Sequence, residues 1–176
     1  DLIATSLLDR RDFLFLNDGA GHFEESFKPG WVNHPRGGSV GASLADVDGD
    51  GDLDLYMTRY VNQFAQAHMT DAKLKKIEDA GKAAIVAGRS PPRVFYEYFT
   101  VLAEPGEVSR VVDAFVPDQV YLNDGRGGFA PVSDRDRMLR DRRGEAYPMP
   151  AYSSHEAAFR DVDADGDPDL YVTGDF

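Results

Sequence analysis

Asp46-Val47-Asp48-Gly49-Asp50-Gly51-Asp52-Leu53-Asp54 and Asp161-Val162-Asp163-Ala164-Asp165-Gly166-Asp167-Pro168-Asp169 are two copies of one nine-residue pattern, 115 positions apart. Each places five carboxylates within nine residues. Like charges at that density repel one another and ordinarily keep a chain unfolded, so the pattern calls for a counter-charge. These ten aspartates also carry most of the acidity. The chain has 176 residues, 31 acidic and 19 basic, and a formal net charge of -12. With the ten set aside, 21 acids face 19 bases and the remainder is nearly neutral.

Outward from the acidic cores the match continues without a gap, from Gly41 to Thr58 and from Glu156 to Thr173. A second motif is also duplicated: Leu14–Phe23 aligns with Val120–Phe129 at an offset of 106. In each copy an apolar run meets Asn-Asp-Gly and then Gly-x-Phe, a tight-turn signal between strands. In the acidic motif Leu53, Leu55 and Met57 alternate with Asp54, Tyr56 and Thr58, the period of a strand. Each motif therefore reads as a hairpin, and two hairpins make a four-stranded antiparallel unit. Its first strand ends at Asp46 and its second starts near Leu53. The third covers about Gln119 to Leu122, and the fourth starts near Phe129. Four-stranded units repeated around an axis are the blades of a β-propeller. The fold expected is mainly β, a partial propeller of antiparallel blades with one helical insertion. Residues 1–40 supply the last two strands of one blade and a connection. Residues 41–132 supply a full blade, and 133–176 a connection with the first two strands of the next. A closed propeller needs about four to eight blades, so a fragment of a longer protein is expected, with further blades as its partners.

The acidic loop is built for a hard cation. Oxygen ligands at positions 1, 3 and 5 and glycine at position 6 suit Ca²⁺. Position 7 can donate a carbonyl, and Asp54 at position 9 can close the sphere. Position 12, where an EF-hand has its bidentate Glu, is Met57 or Val172, so this is not an EF-hand. Ca²⁺ is favoured over Mg²⁺ because many flexible carboxylates suit six to eight ligands. Neither loop contains His or Cys, which disfavours Zn²⁺. The candidate ligands are Asp46, Asp48, Asp50, Asp52 and Asp54, with Asp161, Asp163, Asp165, Asp167 and Asp169. Asp52 and Asp167, at position 7, are the pair for which a carbonyl can serve in place of the side chain.

Composition excludes other classes. The acidic balance argues against a nucleic-acid partner. No run of 18 apolar residues is present, so no membrane insertion is expected. The first residues, Asp1-Leu2-Ile3-Ala4, show no basic segment followed by an apolar one, so no signal peptide is expected in them. The absence of cysteine removes a disulfide framework and thiolate chemistry. There is no Gly-x-Ser-x-Gly elbow, His-Glu-x-x-His pair or P-loop.

The insertion, about residues 61–117, contains a helical stretch from Thr70 to Ala87. Thr70 is its capping residue and Gly88 its stop, and Leu74, Ile77, Ala84 and Ile85 form its apolar stripe. Val94 to Leu102 is aromatic and strand-prone, and Glu104–Glu107 reads as a turn. Strand parity places the acidic loops and the Asn-Asp-Gly turns on one face of the blades. The insertion and the longer connections fall on the other. Loops on a rigid scaffold commonly bind ligands, which makes Trp31, His34, Arg36, Tyr96, Tyr98, Tyr147, Tyr152 and His155 candidates for stacking on sugars or anchoring a protein.

Leu-Asn-Asp-Gly-x-Gly-x-Phe followed by Ala-x-x-Asp-Val-Asp-x-Asp-Gly-Asp-x-Asp-Leu-Tyr resembles the FG-GAP, or VCBS, repeats of integrin-α-like β-propellers, most closely bacterial proteins akin to cartilage acidic protein. The matched motifs span about 60 of the 176 residues. The resemblance implies secreted or surface proteins, Ca²⁺ in the inter-strand loops and usually no catalysis by the repeats. It assigns metal contacts to Asp46, Asp48, Asp50 and Asp54 and to Asp161, Asp163, Asp165 and Asp169. The long insertion departs from the family pattern. The function expected is a non-catalytic Ca²⁺-binding segment that binds protein or glycan in an extracellular, cell-surface or periplasmic setting. The alternative is part of a Ca²⁺-dependent propeller enzyme such as a polysaccharide lyase, for which His22, His34 and His155 are the possible bases.

Overall fold

The computed structural model describes residues 1–6, 12–26, 38–60, 69–102, 110–113, 116–132, 138–139, 143–145 and 153–175. The central element is a four-stranded antiparallel sheet of β4 (Ser39–Ala45), β5 (Asp54–Arg59), β8 (Gln119–Asn123) and β9 (Phe129–Pro131), in that order. These are the four strands expected of one blade, and the chain is mainly β. Before it lies a three-stranded sheet, β1 (Leu2–Ala4), β2 (Phe13–Asn17) and β3 (Phe23–Glu25). After it lies a hairpin of β10 (Ser153–Arg160) and β11 (Asp169–Asp175).

The first sheet has one strand more than expected in residues 1–40. The register explains it. Leu2 pairs with Phe15 as Leu55 pairs with Tyr121, and Ile3 with Leu14 as Tyr56 with Val120. Leu2–Ala4 thus occupies the place of the second strand of a blade, and Asp1 the place of Asp54. Three residues are too short for periodicity to reveal a strand.

All six residues of β5 are buried. Alternating apolar and polar residues are the pattern of a sheet with one wet face. The sheet is instead packed on both sides: Leu55, Met57 and Tyr121 join Leu14, with Ile3 and Phe129 against them. On the other side Tyr56, Val120 and Ala157 form a second cluster with Phe159, Leu170 and Val172. Burial at about 25 cal/mol per Å² on both faces makes this blade the core of the described chain.

Between β5 and β8 the insertion forms α1 (Asp71–Val86), a 3-10 helix (Arg93–Glu97) and a hairpin of β6 (Phe99–Leu102) and β7 (Arg110–Asp113). Thr70 is the N-cap of α1, but its side chain makes no capping bond. Its carbonyl instead accepts the amides of Lys73 and Leu74. Gly88 (φ +66°) ends the helix and donates its amide to the Ile85 carbonyl. The Val94–Leu102 stretch starts helical rather than extended: after Pro91-Pro92 the Phe95 amide bonds the Pro92 carbonyl at 2.8 Å. Phe95 is then fully buried, its ring lying where a Cβ on Gly81 of α1 would stand. The expected turn at Glu104–Glu107 lies outside the described residues.

Two buried carboxylates join the blades. Asp12, at the start of β2, accepts the Ser6 amide at 2.7 Å and the Ser39 hydroxyl at 2.8 Å. Asp118, at the start of β8, accepts the Arg59 amide at 2.8 Å, the Ser154 hydroxyl at 2.7 Å and the Tyr56 hydroxyl at 2.8 Å. The aspartates are 106 residues apart and the serines 115, the two offsets of the repeat. Each aspartate therefore ties two strands of its own sheet to the first strand of the next.

Burial holds the Asp118 carboxyl above its usual range, although its hydrogen bonds and Arg59 pull the other way. The Tyr56 hydroxyl is pushed up by burial and by Asp118, so it stays a donor. Asp118→Ala strands three donors and is expected to lower unfolding free energy by about 3 kcal/mol, measured by urea denaturation. A raised folded-state pKa means the folded chain holds this proton more tightly than the unfolded chain. The group therefore adds stability as pH falls through its folded value toward the ordinary carboxylate value. Asp118→Asn lacks that gain, so its deficit relative to wild type widens between pH 7 and pH 4.

Candidate metal centre

The acidic loops are the connections from β4 to β5 and from β10 to β11. Glycine gives the first its shape: Gly49 and Gly51 have φ of +77° and +94°. In the second loop Gly166 has φ +100°, while Ala164, in the place of Gly49, takes the left-handed region at φ +64°. An L-residue is strained there.

Three carboxylates converge in each loop. One oxygen each from Asp46, Asp48 and Asp54 lies within 4.8 Å of the others, and the same holds for Asp161, Asp163 and Asp169. These are positions 1, 3 and 9 of the pattern. Positions 5 and 7 stand outside both groups. Asp50 accepts the Asp52 amide at 3.0 Å and Asp165 the Asp167 amide at 3.0 Å. Asp52 lies against Gly125 of the β8–β9 turn, its carboxylate filling the space where a Cβ on that glycine would stand.

Backbone amides hold the converging groups in place. Asp46 accepts the amides of Gly49, Asp50 and Gly51 at 2.8, 3.1 and 2.9 Å. Asp161 accepts the Gly166 amide at 3.1 Å. Asp54 accepts the Val47 amide at 3.0 Å and, from β8, the Asn123 amide at 2.8 Å. Asp169 accepts the Val162 amide at 2.9 Å. Among the described residues, no basic side chain is ion-paired with these six. Asp48 is held above the usual carboxylate range by loss of water contact and by the charges of Asp50, Asp54 and Asp46. An all-oxygen donor set with no nitrogen or sulfur fits a hard divalent cation, with Ca²⁺ suited by the flexible carboxylates. Asp46, Asp48 and Asp54 would hold one ion and Asp161, Asp163 and Asp169 another. The cation would supply the missing counter-charge.

Asn123 was not singled out from sequence except as part of the turn, yet it joins that turn to the loop. Its side-chain amide donates to the Leu53 carbonyl at 3.0 Å, and its side-chain oxygen accepts the Gly125 amide at 3.2 Å. A cleft of about 400 Å³ opens on the same face, walled by Leu14, Leu16, Leu44, Leu53, Phe129 and Asp52 among others.

The ligand candidates divide. Tyr96 is exposed and packs edge-on against Phe95, and Tyr98 is half-buried. His155 is exposed, with its ring 5.2 Å from that of Tyr60, at the end of the blade away from the acidic loops. Trp31, His34, Arg36, Tyr147 and Tyr152 lie outside the described residues. On the loop face, His22 sits in an exposed turn with its Nδ1 2.9 Å from Asp18 Oδ2. The amide of Ala20, the His22 side chain and the His22 amide hold Asp18 below the usual carboxylate range.

Residues 1–57 match the family model of the FG-GAP-like repeat. The matched stretch contains β1 to β4, the whole first acidic loop and the start of β5, and it supports an FG-GAP-like repeat in this part of the chain. Such repeats are typical of extracellular proteins. No curated protein and no solved structure matches the chain. Among the described residues, no helix is long and apolar enough to cross a membrane.

Asp48→Ala is expected to remove one equivalent of bound Ca²⁺ and Asp163→Ala the other, measured by calorimetry. Asp52→Asn, which alters a carboxylate outside the converging group, is expected to keep both equivalents.

Proposed function

We propose that the chain is a non-catalytic, Ca²⁺-stabilised repeat segment that binds a protein or carbohydrate ligand outside the cell. The observation that carries this reading is the convergence of the same three pattern positions in both loops, with no basic partner among the described residues. Ca²⁺ neutralises the repelling carboxylates and ties each hairpin turn to its strands, which links metal binding to folding. Extracellular Ca²⁺ modules work at about 10⁻⁴–10⁻³ M affinity, which suits a secreted, surface or periplasmic setting. The acidic character of the chain and its repeat family support the same setting. The exposed Tyr96 and His155 are the ligand contacts we favour among the described residues. His22, the histidine on the loop face, sits in a water-exposed turn within hydrogen-bond distance of Asp18 rather than in a closed cavity, which weighs against general-base chemistry.

Thermal melting with Ca²⁺ and with EDTA tests the reading. At one hundred times Kd, each occupied site is expected to add about 2.7 kcal/mol, seen as a higher Tm. A cooperative melt unmoved by EDTA would contradict it.

A further inference from the structure

We propose that Arg59 and Tyr121 form a carboxylate-binding subsite at the end of the central blade away from the acidic loops, and that it takes an Asp or Glu side chain of a protein partner. The proposal deepens the ligand-binding reading above and rests on it. Arg59 is the last residue of β5 and is 9 % exposed. Its guanidinium carries five N–H donors. Nη2 donates to the Tyr121 hydroxyl at 2.9 Å. Nε is enclosed, and among the described residues it is the only buried side-chain nitrogen or oxygen left without a partner. Among the described residues no carboxylate forms an ion pair with Arg59. The buried acids are already engaged: Asp118 accepts the Arg59 amide and the Tyr56 and Ser154 hydroxyls, and Asp12 accepts the Ser6 amide and the Ser39 hydroxyl. A covered guanidinium with an unused donor is costly unless an anion meets it.

The pair is an addition to the repeat. The register that matches Leu2 to Leu55 and Phe15 to Tyr121 puts Ser6 in the place of Arg59, and the offset of 115 puts Gly174 there in the last hairpin. The first sheet keeps the amide bond to its buried aspartate, Ser6 to Asp12, with neither a guanidinium nor a phenol hydroxyl. The latch therefore needs neither side chain. Strand alternation puts Arg59 on the face of β5 shared by Leu55 and Met57, which pack with Leu14 of β2 and Ile3 of β1, so it faces the first sheet rather than an end of the chain. The next residue, Tyr60, has its ring 5.2 Å from that of His155, which sets the subsite beside a ligand contact favoured above. A planar guanidinium matches a carboxylate, and Arg and Tyr are the types that anchor protein interfaces. Access selects the form of the ligand. A carboxylate on a slim, flexible side chain reaches a group this covered, whereas one fixed to a pyranose ring does not.

Titration of the full chain with N-acetyl-aspartate amide, followed at the Arg59 Nε–H signal by ¹H–¹⁵N NMR, tests this. The signal is expected to shift saturably with that compound and with sodium acetate. It is expected to stay in place with sodium chloride or sodium galacturonate at the same concentration. Tyr121→Phe, which installs the residue found at the equivalent Phe15, is expected to fold and to bind about three- to tenfold more weakly. Arg59→Lys keeps the charge but not the planar donor edge, and followed at the Tyr60 amide it is expected to bind about tenfold more weakly. Should Arg59→Lys fail to fold, Tyr121→Phe decides alone. No saturable shift with N-acetyl-aspartate amide, an equal shift with chloride, or unaltered affinity in Tyr121→Phe would overturn the proposal. An equal shift with galacturonate would overturn the protein-partner assignment in favour of an acidic sugar. Each of these outcomes is separate from the Ca²⁺ and EDTA melts, which test the repeat-segment reading by themselves.

Discussion

A carboxylate removed from water must be met by donors or by a cation, and this fold is arranged around that requirement. Asp54 shows it most compactly. Its backbone begins β5, its side chain faces Asp46 and Asp48 across the loop, and its two oxygens take amides from Val47 and Asn123. One residue therefore joins the acidic loop, the strand that follows it and the strand paired with that one. Hydrogen bonds to an ionised acceptor are the stronger kind, yet they leave the mutual repulsion of the neighbouring aspartates in place. That residual charge is the physical ground for a divalent cation.

The other end of each blade meets the same requirement without a metal. Asp12 and Asp118 are buried, and each is satisfied by a backbone amide and by a serine from the next sheet. Five acids crowded into one loop keep their mutual repulsion whatever amides they accept, whereas a single acid at a strand start is met by one amide and a neighbouring hydroxyl. The two ends of the blade are thus held differently, one by hydrogen-bonded latches and the other by loop amides that gather carboxylates into a group able to hold an ion. Apolar packing on both faces of the central sheet sets the distance between neighbours, and the latches fix their register.

Much of this was legible in the sequence. The four strands of the central blade appear at the expected positions, because Asp-Gly turns and alternating apolar residues are local signals. The helix is also where Thr70 and Gly88 place it. The losses have definite causes. Leu2–Ala4 is too short to read as a strand and becomes one only through pairing with β2. Pro91-Pro92 and the Gly81 recess turn the start of an aromatic, strand-prone run into a 3-10 helix. The acidic positions were legible as a set, but their spacing did not separate Asp48, which converges with its neighbours, from Asp50, which turns to the Asp52 amide. Asp12, Ser39, Asp118 and Ser154 went unnoticed because their meaning is tertiary, although each pair recurs at the offset of its motif. That recurrence was the available signal.

The central claim is that the gathered aspartates hold divalent cations. The most direct measurement is anomalous diffraction from crystals of the chain grown with CaCl₂. The account predicts two anomalous peaks with oxygen ligands at about 2.3–2.6 Å, one among Asp46, Asp48 and Asp54 and one among Asp161, Asp163 and Asp169. Ordered loops with no peak at either place would contradict it.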